Sequence, residues 1–277
     1  KILKLNYSKN LVFAGGCALN SLANKSLFDK GFNNIYIPYA PADAGGAIGS
    51  VLCFLSSKYK NFENLKNPYI GPSYNDDEIK KVIDNYSLNE KFIVQKYDDD
   101  EILFDKICNL LIQKKIIGFF NDRMEFGARA LGNRSILANP CFKDMKEIIN
   151  SKIKRRENFR PFAPSVIAEK KGEWFKENKS NPYMSSVEDI IPNKIDKIPA
   201  VAHIDGTGRV QSVSKDINIR FYNLIKTFES KTNVPILLNT SFNENEPIVM
   251  TPKEAMDCFV RTDMDAIVLN NILIIRS

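Results

Sequence analysis

The sequence has 277 residues, of which 44% are hydrophobic and 26% are charged, with a formal net charge of +6. This composition is ordinary for a soluble protein with one large domain or two modest ones, and the scattered lysines form no long basic run of the kind that makes a nucleic-acid-binding arm. No apolar run approaches the roughly 18 residues of a membrane span.

The five cysteines are widely spaced and include no CxxC pair, which favours reduced cytosolic thiols over a disulfide framework or a zinc site. The chain begins with Lys1 and shows no signal peptide. These features predict a cytoplasmic protein and a chain that is processed, trimmed or part of something longer.

The first sixty residues predict a strand–helix–strand–helix (βαβα) unit with glycine turns. This unit has too little sheet to bury its own faces. Its expected segments are a strand at Leu11–Ala14, a helix at Ala18–Phe28, a strand at Ile35–Ile37, a turn at Ala42–Gly46 and a helix that ends near Tyr59.

Residues 60–76 carry turn formers and weak periodicity, and we interpret them as a linker. The sequence beyond alternates helical and strand patterns, and Thr251 begins a capping box. Helices are expected at 76–86, after Asp98–Asp100, at 145–153 and at 217–232; strands are expected at 92–95, 116–120, 165–168, 200–204, 234–238 and in the run 266–275.

Three arginines, Arg123, Arg129 and Arg134, follow the expected buried strand at 116–120 in a glycine-containing stretch. Guanidinium groups bind phosphate or carboxylate oxygens in pairs, and loops at strand ends often carry sites. The alternative is surface salt bridges, including one to Glu125. We favour an anion site.

A second basic cluster lies at 152–164 and includes Lys154 and Arg160. If the helix at 145–153 continued, Lys152, Arg156 and Arg160 would share one face, as in a solvated helix. Buried Phe159 and Phe162, with prolines beside them, would instead hold Arg160 in a fixed position.

Short polar side chains end the expected strand at 234–238, namely Asn239, Thr240, Ser241 and Asn243. They suit adenine or ribose hydrogen bonding and equally suit turn capping. His203 is a possible general base or a partly buried structural histidine, and Arg209 in the following loop ranks above it.

The front unit offers weaker candidates. Gly15 and Gly16, with Asn20, form a strand–glycine–helix turn that can bind phosphate or can be an ordinary tight turn. Asp43 beside a glycine turn is a possible metal ligand or a helix N-cap.

Four blocks make the chain resemble the carbamoyltransferase family that modifies nodulation factors and antibiotics. The blocks are FAGGCALN (13–20) with PYAPADAGGAIGS (38–50), DRMEFGARALGNRSILANP (122–140), KIKRRENFRPFAPSV (152–166), and HIDGTGRVQSV (203–213) with PILLNTSFNENEPIVMTPKEA (235–255).

The resemblance implies an α/β (α+β) fold in three parts. Residues 1–60 would be the C-terminal part of a Kae1-like (actin-like ATPase) domain, and residues 61–95 a linker leading into the second domain. Residues 96–277 would form a YrdC/Sua5-like domain with a twisted mixed sheet and a positive groove.

The resemblance also implies an activity. The rear domain would form carbamoyl-adenylate from carbamoyl phosphate and ATP with Mg²⁺, and the front domain would transfer the carbamoyl group to a hydroxyl of an acceptor such as a sugar or an antibiotic. Arg129, Lys154, Arg160 and Arg209 would then be catalytic, and Arg123, Asn239, Thr240, Ser241, Asn243, Gly15, Gly16 and Asn20 would bind the nucleotide or carbamoyl-adenylate.

The family's divalent, iron-type metal uses a His-x-x-x-His motif, and the only histidine in this sequence is His203. Asp43 would therefore lack its metal-binding partners. Transfer to the acceptor then calls for a separate chain with the missing Kae1-like half, so one alternative is a subunit of a split enzyme. The other is a noncatalytic nucleotide- or RNA-binding module.

Overall fold

The front of the chain forms the expected βαβα unit. We describe a computed structural model that covers residues 8–59, 67–86, 88 and 91–277. The unit consists of β1 (Asn10–Val12), α1 (Ser21–Asp29), β2 (Asn34–Tyr36) and α2 (Gly45–Lys58), and β1 pairs with β2 in parallel from Asn10↔Asn34 to Val12↔Tyr36. Residues 60–66 of the expected linker lie outside the described residues.

The rest of the chain forms a larger α/β unit. Its helices are α3 (Asp76–Asp84), α4 (Asp100–Ile112), α5 (Met145–Lys152), α6 (Ile219–Thr232) and α7 (Pro252–Arg261). Its strands are β3 (Phe92–Lys96), β4 (Ile117–Phe120), β5 (Arg134–Ala138), β6 (Ala163–Ile167), β7 (Glu188–Asp189), β8 (Thr207–Gly208), β9 (Gln211–Val213), β10 (Ile236–Ser241), β11 (Ala266–Leu269) and β12 (Ile272–Arg276).

Eight of these strands form one mixed sheet in the order β3-β12-β11-β4-β5-β10-β6-β9. The pairs β11/β4 and β6/β9 are parallel, and the other neighbours are antiparallel. Strands β4, β5 and β6 are buried along their whole length, and most of their residues are apolar. The α/β class with a mixed sheet is confirmed.

Local signals placed most of the helices correctly. Thr251 and Glu254 form the expected capping box at the start of α7, and Asp99 caps α4 through the backbone N–H of Glu101. The expected run 266–275 is a hairpin of β11 and β12, because the chain turns at Asn270 with φ 52°. Asparagine tolerates this left-handed conformation, so the turn can be tight.

One strand prediction is wrong. Residues 200–204 form turns after a 3-10 helix at Pro192–Lys197, and strand pairing resumes only at Thr207. Val201 is fully buried within this irregular segment, so its apolar residues pack without joining a sheet. Hydrophobicity alone predicted a strand there, although the segment makes no ladder.

The two units differ in how much they bury. The large sheet and its helices share one continuous hydrophobic core, whereas α2 buries none of its residues. Within the described residues, no helix has the length and apolar character required to cross a bilayer.

Candidate functional site

Four segments that are distant in sequence meet at one edge of the large sheet. The chain end of β4 pairs with the start of β5 at Phe120↔Arg134, and the end of β10 pairs there too, at Ser241↔Ser135. The starts of β6 and β9 lie on the same side, because β6 is antiparallel to β10 and parallel to β9. This topology brings together the β4–β5 loop, the segment before β6, the segment before β9 and the end of β10.

A cleft of about 300 Å³ lies at this edge. Four guanidinium groups line it, together with polar atoms from the end of β10, and no carboxylate is among its lining residues. The lining consists of Ala128, Arg129, Ala130, Arg156, Arg160, Pro161, Met184, Arg209, Asn239, Thr240 and Ser241. The structure therefore gathers three of the four predicted catalytic residues, Arg129, Arg160 and Arg209, and adds Arg156.

The positive charge in the cleft is poorly compensated. Arg129 donates to the carbonyl oxygen of Leu19 at 2.8 Å, and Arg156 donates to Asn150 Oδ1 at 2.8 Å. Arg209 Nε is buried and has no hydrogen-bond partner. Desolvation lowers the pKa of Arg209 to about 10, with further contributions from Arg129 and Arg156. Because each positive charge disfavours the charged form of its neighbours, an anion that binds in the cleft would stabilise all of these guanidinium groups.

Arg160 lies at the open rim of the cleft. Its side chain is half exposed and pairs with Glu157 at 3.0 Å. The expected helix does not reach it, because α5 ends at Lys152 and Arg155 adopts φ 42°. The shared helix face of Lys152, Arg156 and Arg160 is therefore wrong.

Burial holds only part of the aromatic-proline segment in place. Phe162 is 2% exposed and carries the Arg156 guanidinium over its ring at 5.2 Å. Phe159 is 71% exposed, so its predicted burial is wrong. The side chain fixed by this segment is Arg156, which the sequence placed on a helix face and did not single out as a ligand, whereas Arg160 stays open to solvent.

Lys154 is buried behind the cleft and does not line it. Its Nζ donates to Ser241 O at 2.6 Å, Asn243 O at 2.8 Å and Asn243 Oδ1 at 2.6 Å. Desolvation lowers the pKa of Lys154 to about 7, and Arg156 adds to the effect. In this arrangement Lys154 fixes the chain at the end of β10.

Some polar residues at the end of β10 line the cleft, and another holds the lining residues in place. Thr240 and Ser241 line the cleft, and Asn239 lines it from a fully buried position. Asn243 does not line the cleft; its Oδ1 accepts from Ser241 Oγ at 2.7 Å, and its Nδ2 donates to Glu246 O at 2.6 Å. Ser241 and Asn243 are thus joined to each other and to Lys154.

Glu125 organises the β4–β5 loop from inside. Its Oε1 accepts backbone N–H groups of Leu131 at 2.5 Å and of Asn133 and Arg134 at 3.3 Å each. Glu125 is buried and forms no ion pair within the described ranges, so the expected surface salt bridge is absent there. Desolvation is the largest cause of the raised pKa of Glu125.

Arg134 is also structural. It is fully buried, stacks over Phe120 at 3.5 Å and donates to Asn121 O at 2.7 Å and Asn133 O at 2.9 Å. Glu125 and Arg134 flank two glycines that adopt positive φ, Gly127 and Gly132. Such buried charges hold the loop that presents Arg129.

Several predicted ligands lie away from the cleft. Arg123 is exposed and donates to Gly71 O at 3.1 Å. Gly15 and Gly16 lie in the front unit, where Gly15 N donates to Pro41 O at 2.6 Å, and the Asn20 side chain accepts from Ala23 N as the cap of α1. The structure does not bring these residues to the cleft. The hydrogen bond from Arg129 to the carbonyl oxygen of Leu19 connects the cleft to the front unit.

The predicted metal ligand and the histidine stand apart as well. Asp43 is exposed, and residues 8–59, 67–86, 88 and 91–277 contain no group of three His, Cys, Asp or Glu side chains that could hold a metal. His203 Nδ1 lies 3.0 Å from Thr207 Oγ1, and desolvation is the main cause of its lowered pKa. His203 does not line the cleft.

Family models match both parts of the chain. Residues 2–52 match the carbamoyltransferase N-terminus, and residues 108–276 match the carbamoyltransferase C-terminus. The chain belongs to the carbamoyltransferase family. Every residue that lines the cleft lies within the C-terminal match.

Three bacterial proteins are among the relatives of this chain. An uncharacterized protein of Synechocystis sp. is 40% identical over 97% of this chain and 48% of its own length. Nodulation protein NolNO of Sinorhizobium fredii is 38% identical over 96% of this chain and 40% of its own. Nodulation protein NolO of Bradyrhizobium diazoefficiens is 36% identical over 95% of this chain and 49% of its own. The chain thus spans half or less of the length of these relatives.

A solved structure of full-length HypF in its phosphate- and nucleotide-bound form is also similar. The likeness covers 65% of this chain and 22% of that chain, with 18% sequence identity and a TM-score of 0.45.

Proposed function

We propose that the cleft binds ATP and carbamoyl phosphate and forms carbamoyl-adenylate. The observation that carries this proposal is the group of four guanidiniums around a cleft with no lining carboxylate, one of them with a buried, unpaired Nε. Phosphate oxygens are the natural partners of such a group, because each guanidinium offers a fork of N–H donors.

The proposed chemistry needs positioning and charge stabilisation. Carbamoyl phosphate is first hydrolysed in the cleft: a water molecule adds, the bond between the carbamoyl and phosphoryl groups breaks, and carbamate and inorganic phosphate form. A carbamate oxygen then attacks the α-phosphorus of ATP, the bond between the α-phosphorus and the α,β-bridging oxygen breaks, and pyrophosphate leaves. Negative charge gathers on phosphate oxygens in that step, so preorganised cations lower its barrier. No side-chain nucleophile is required.

Each residue has a separate role in this proposal. Arg129, Arg156 and Arg209 bind phosphate oxygens from the inner wall, and Arg160 reaches them from the rim. Thr240 and Ser241 offer hydroxyl groups to the nucleotide. Lys154 and Asn243 act by holding Ser241 in position, as their mutual hydrogen bonds indicate. Mg²⁺ would arrive bound to ATP.

Transfer to a hydroxyl-bearing small molecule is the second proposed step. In the described part of the chain, Asp43 lacks companions for an iron-type metal site, so the residues present do not fit that group and no step is assigned to it. Acceptor binding would then need the part of the family's N-terminal domain that this sequence lacks, in cis or on a separate chain. Support comes from α2, which is apolar yet buries no residue.

The direct test is ATP–pyrophosphate exchange by the purified chain with carbamoyl phosphate and no acceptor. Exchange that requires carbamoyl phosphate supports the proposal, and its absence under conditions where the chain is folded overturns it. The RNA-binding alternative predicts a different result, namely binding that weakens steeply with salt and strengthens with RNA length.

A further inference from the structure

The two polar atoms of the Asn239 side-chain amide, Nδ2 and Oδ1, differ in their hydrogen bonding. The residue is 1% exposed and lines the cleft. Its Nδ2 donates to Ser165 Oγ at 3.0 Å, Gln211 Oε1 at 3.1 Å and Ala130 O at 3.3 Å. Its Oδ1 is buried and has no hydrogen-bond partner. An unpaired buried acceptor costs free energy, so it calls for a donor from outside the protein.

The hydrogen-bond network fixes which end is free. Gln211 Nε2 donates to Leu131 O at 2.7 Å, so Gln211 must present Oε1 to its other neighbours. Ser165 Oγ donates to that same Oε1 at 2.6 Å. A flipped Asn239 amide would place its oxygen against Ala130 O and Gln211 Oε1, both of which are acceptors only. The unpaired atom is therefore the oxygen.

A second unpaired atom belongs to another residue that lines the same cleft. Arg209 is two residues before Gln211 and lines the same cleft, and its Nε is a buried donor without a partner. The cleft thus offers an unpaired acceptor and an unpaired donor among its cations. Met184, a flexible side chain in the same lining, can move to admit a ligand between them.

We propose that Asn239 Oδ1 accepts a hydrogen bond from the carbamoyl NH₂ group and thereby selects carbamoyl phosphate over acyl phosphates that lack an N–H. This inference rests on the proposed function of the cleft. Carbamoyl phosphate joins an NH₂ donor and a phosphate within three bonds, which matches an acceptor set among guanidiniums. The amino group of adenine is a poorer match, because the ribose separates it from the phosphates of ATP.

The test compares carbamoyl phosphate with acetyl phosphate, in which a methyl group replaces NH₂. Their dissociation constants would be measured by isothermal titration calorimetry on the wild-type chain and on Asn239→Leu. Wild type should prefer carbamoyl phosphate. In Asn239→Leu that preference should fall roughly ten- to a hundredfold, because one buried acceptor is lost, with acetyl phosphate affinity changed far less.

Ser165→Ala is the matched control. It removes one partner of Asn239 Nδ2 and leaves Oδ1 in place, so it should keep the wild-type preference. If Asn239→Leu fails to fold, Asn239→Ala provides the second variant: it removes the same acceptor without adding bulk, so the preference for carbamoyl phosphate should fall as it does in Asn239→Leu. An equal loss of preference in Ser165→Ala would overturn the inference.

Parallel exchange assays separate this inference from the proposed function. Wild type that exchanges with carbamoyl phosphate but binds acetyl phosphate equally well would overturn the role of Asn239 alone. Wild type that neither exchanges nor binds carbamoyl phosphate would overturn both. Wild type that prefers carbamoyl phosphate, with the preference lost only in Asn239→Leu, supports both.

Discussion

Lys154 Nζ lies 2.6 Å from Asn243 Oδ1, a residue 89 positions further along the chain. The same ammonium reaches the Ser241 carbonyl at 2.6 Å, so one cation ties the segment before β6 to the end of β10. Both segments border the cleft. Because Lys154 is fully enclosed, its protonation is linked to folding as well as to the position of Ser241.

The stability of the protein should therefore depend on pH through Lys154. Folding lowers the pKa of Lys154 from its ordinary 10.5 to about 7. Between these values the unfolded chain binds a proton that the folded chain has lost, so this group makes the free energy of unfolding rise with pH. The rise should be about 1 kcal/mol per pH unit within that window.

Denaturant unfolding of wild type and Lys154→Met across that window would measure the effect. The variant has no titrating group at this position, so the difference in free energy of unfolding should move in favour of wild type as pH increases. Parallel pH profiles for the two proteins would contradict the lowered pKa. The variant's constant offset, from the lost hydrogen bonds, does not affect the slope.

Replacing Arg160 by Ala should slow carbamoyl-adenylate formation without unfolding the protein. The side chain is half exposed and pairs with an exposed Glu157, so its removal costs little stability. Losing one donor to the transferring phosphate should cost on the order of 2–4 kcal/mol of transition-state stabilisation, or roughly 30- to 1000-fold in rate. ATP–pyrophosphate exchange is the measurement.

Lys226→Ala is the charge-matched control for that experiment. Lys226 lies on α6, away from the cleft lining, and pairs with Glu229 at 3.5 Å. Its removal should leave exchange unchanged. If Arg160→Ala exchanged at the wild-type rate, the assignment of Arg160 to the reacting phosphates would have to be withdrawn.

Glu125→Ala should destabilise the protein by about 3 kcal/mol or more, because three backbone N–H groups would lose their acceptor inside the loop. Glu125→Gln keeps an amide oxygen that can accept, so its loss should be smaller. Urea unfolding measures both. Glu147→Ala, at an exposed position in α5, should change stability by less than about 1 kcal/mol. Similar values for positions 125 and 147 would show that the loop does not depend on the carboxylate.

The sequence predicted the site better where charge had no structural use. Arg129, Arg160 and Arg209 are cations beside glycine or proline, and all three reach the cleft. Arg134 also follows a glycine closely in the sequence. Its guanidinium, however, donates hydrogen bonds to backbone carbonyl groups and stacks on Phe120, so it is not available to the cleft. Which arginine is free depends on the register of β4 against β5, and that pairing is not visible in the residues alone.

The fold was predictable where periodicity and capping agreed. The capping box at Thr251 and the stripe of α6 gave correct helices. Strand β5 was missed although Gly132-Asn133 precede it and Asn139-Pro140 follow it, because residues 121–140 were interpreted together as one anion-binding segment. Helix α5 ends within one residue of its expected end at 153, and it does not continue through Arg156 and Arg160 because Arg155 takes a left-handed conformation that side-chain periodicity does not report.

The apolar surface of α2 gives the last prediction. Val51 and Phe54 are each 57% exposed, although α2 is largely apolar. An exposed apolar patch of this kind binds hydrophobic dyes and neighbouring chains.

The double variant Val51→Glu and Phe54→Glu should therefore bind 8-anilinonaphthalene-1-sulfonate more weakly and self-associate less in sedimentation velocity. Its free energy of unfolding should change by under about 1 kcal/mol, because both side chains are largely exposed. The double variant Ile107→Glu and Leu224→Glu, at fully buried positions on α4 and α6, should fail to fold. Unchanged dye binding by the α2 variant would show that the patch lies elsewhere and would remove the support that α2 gives to a missing domain half.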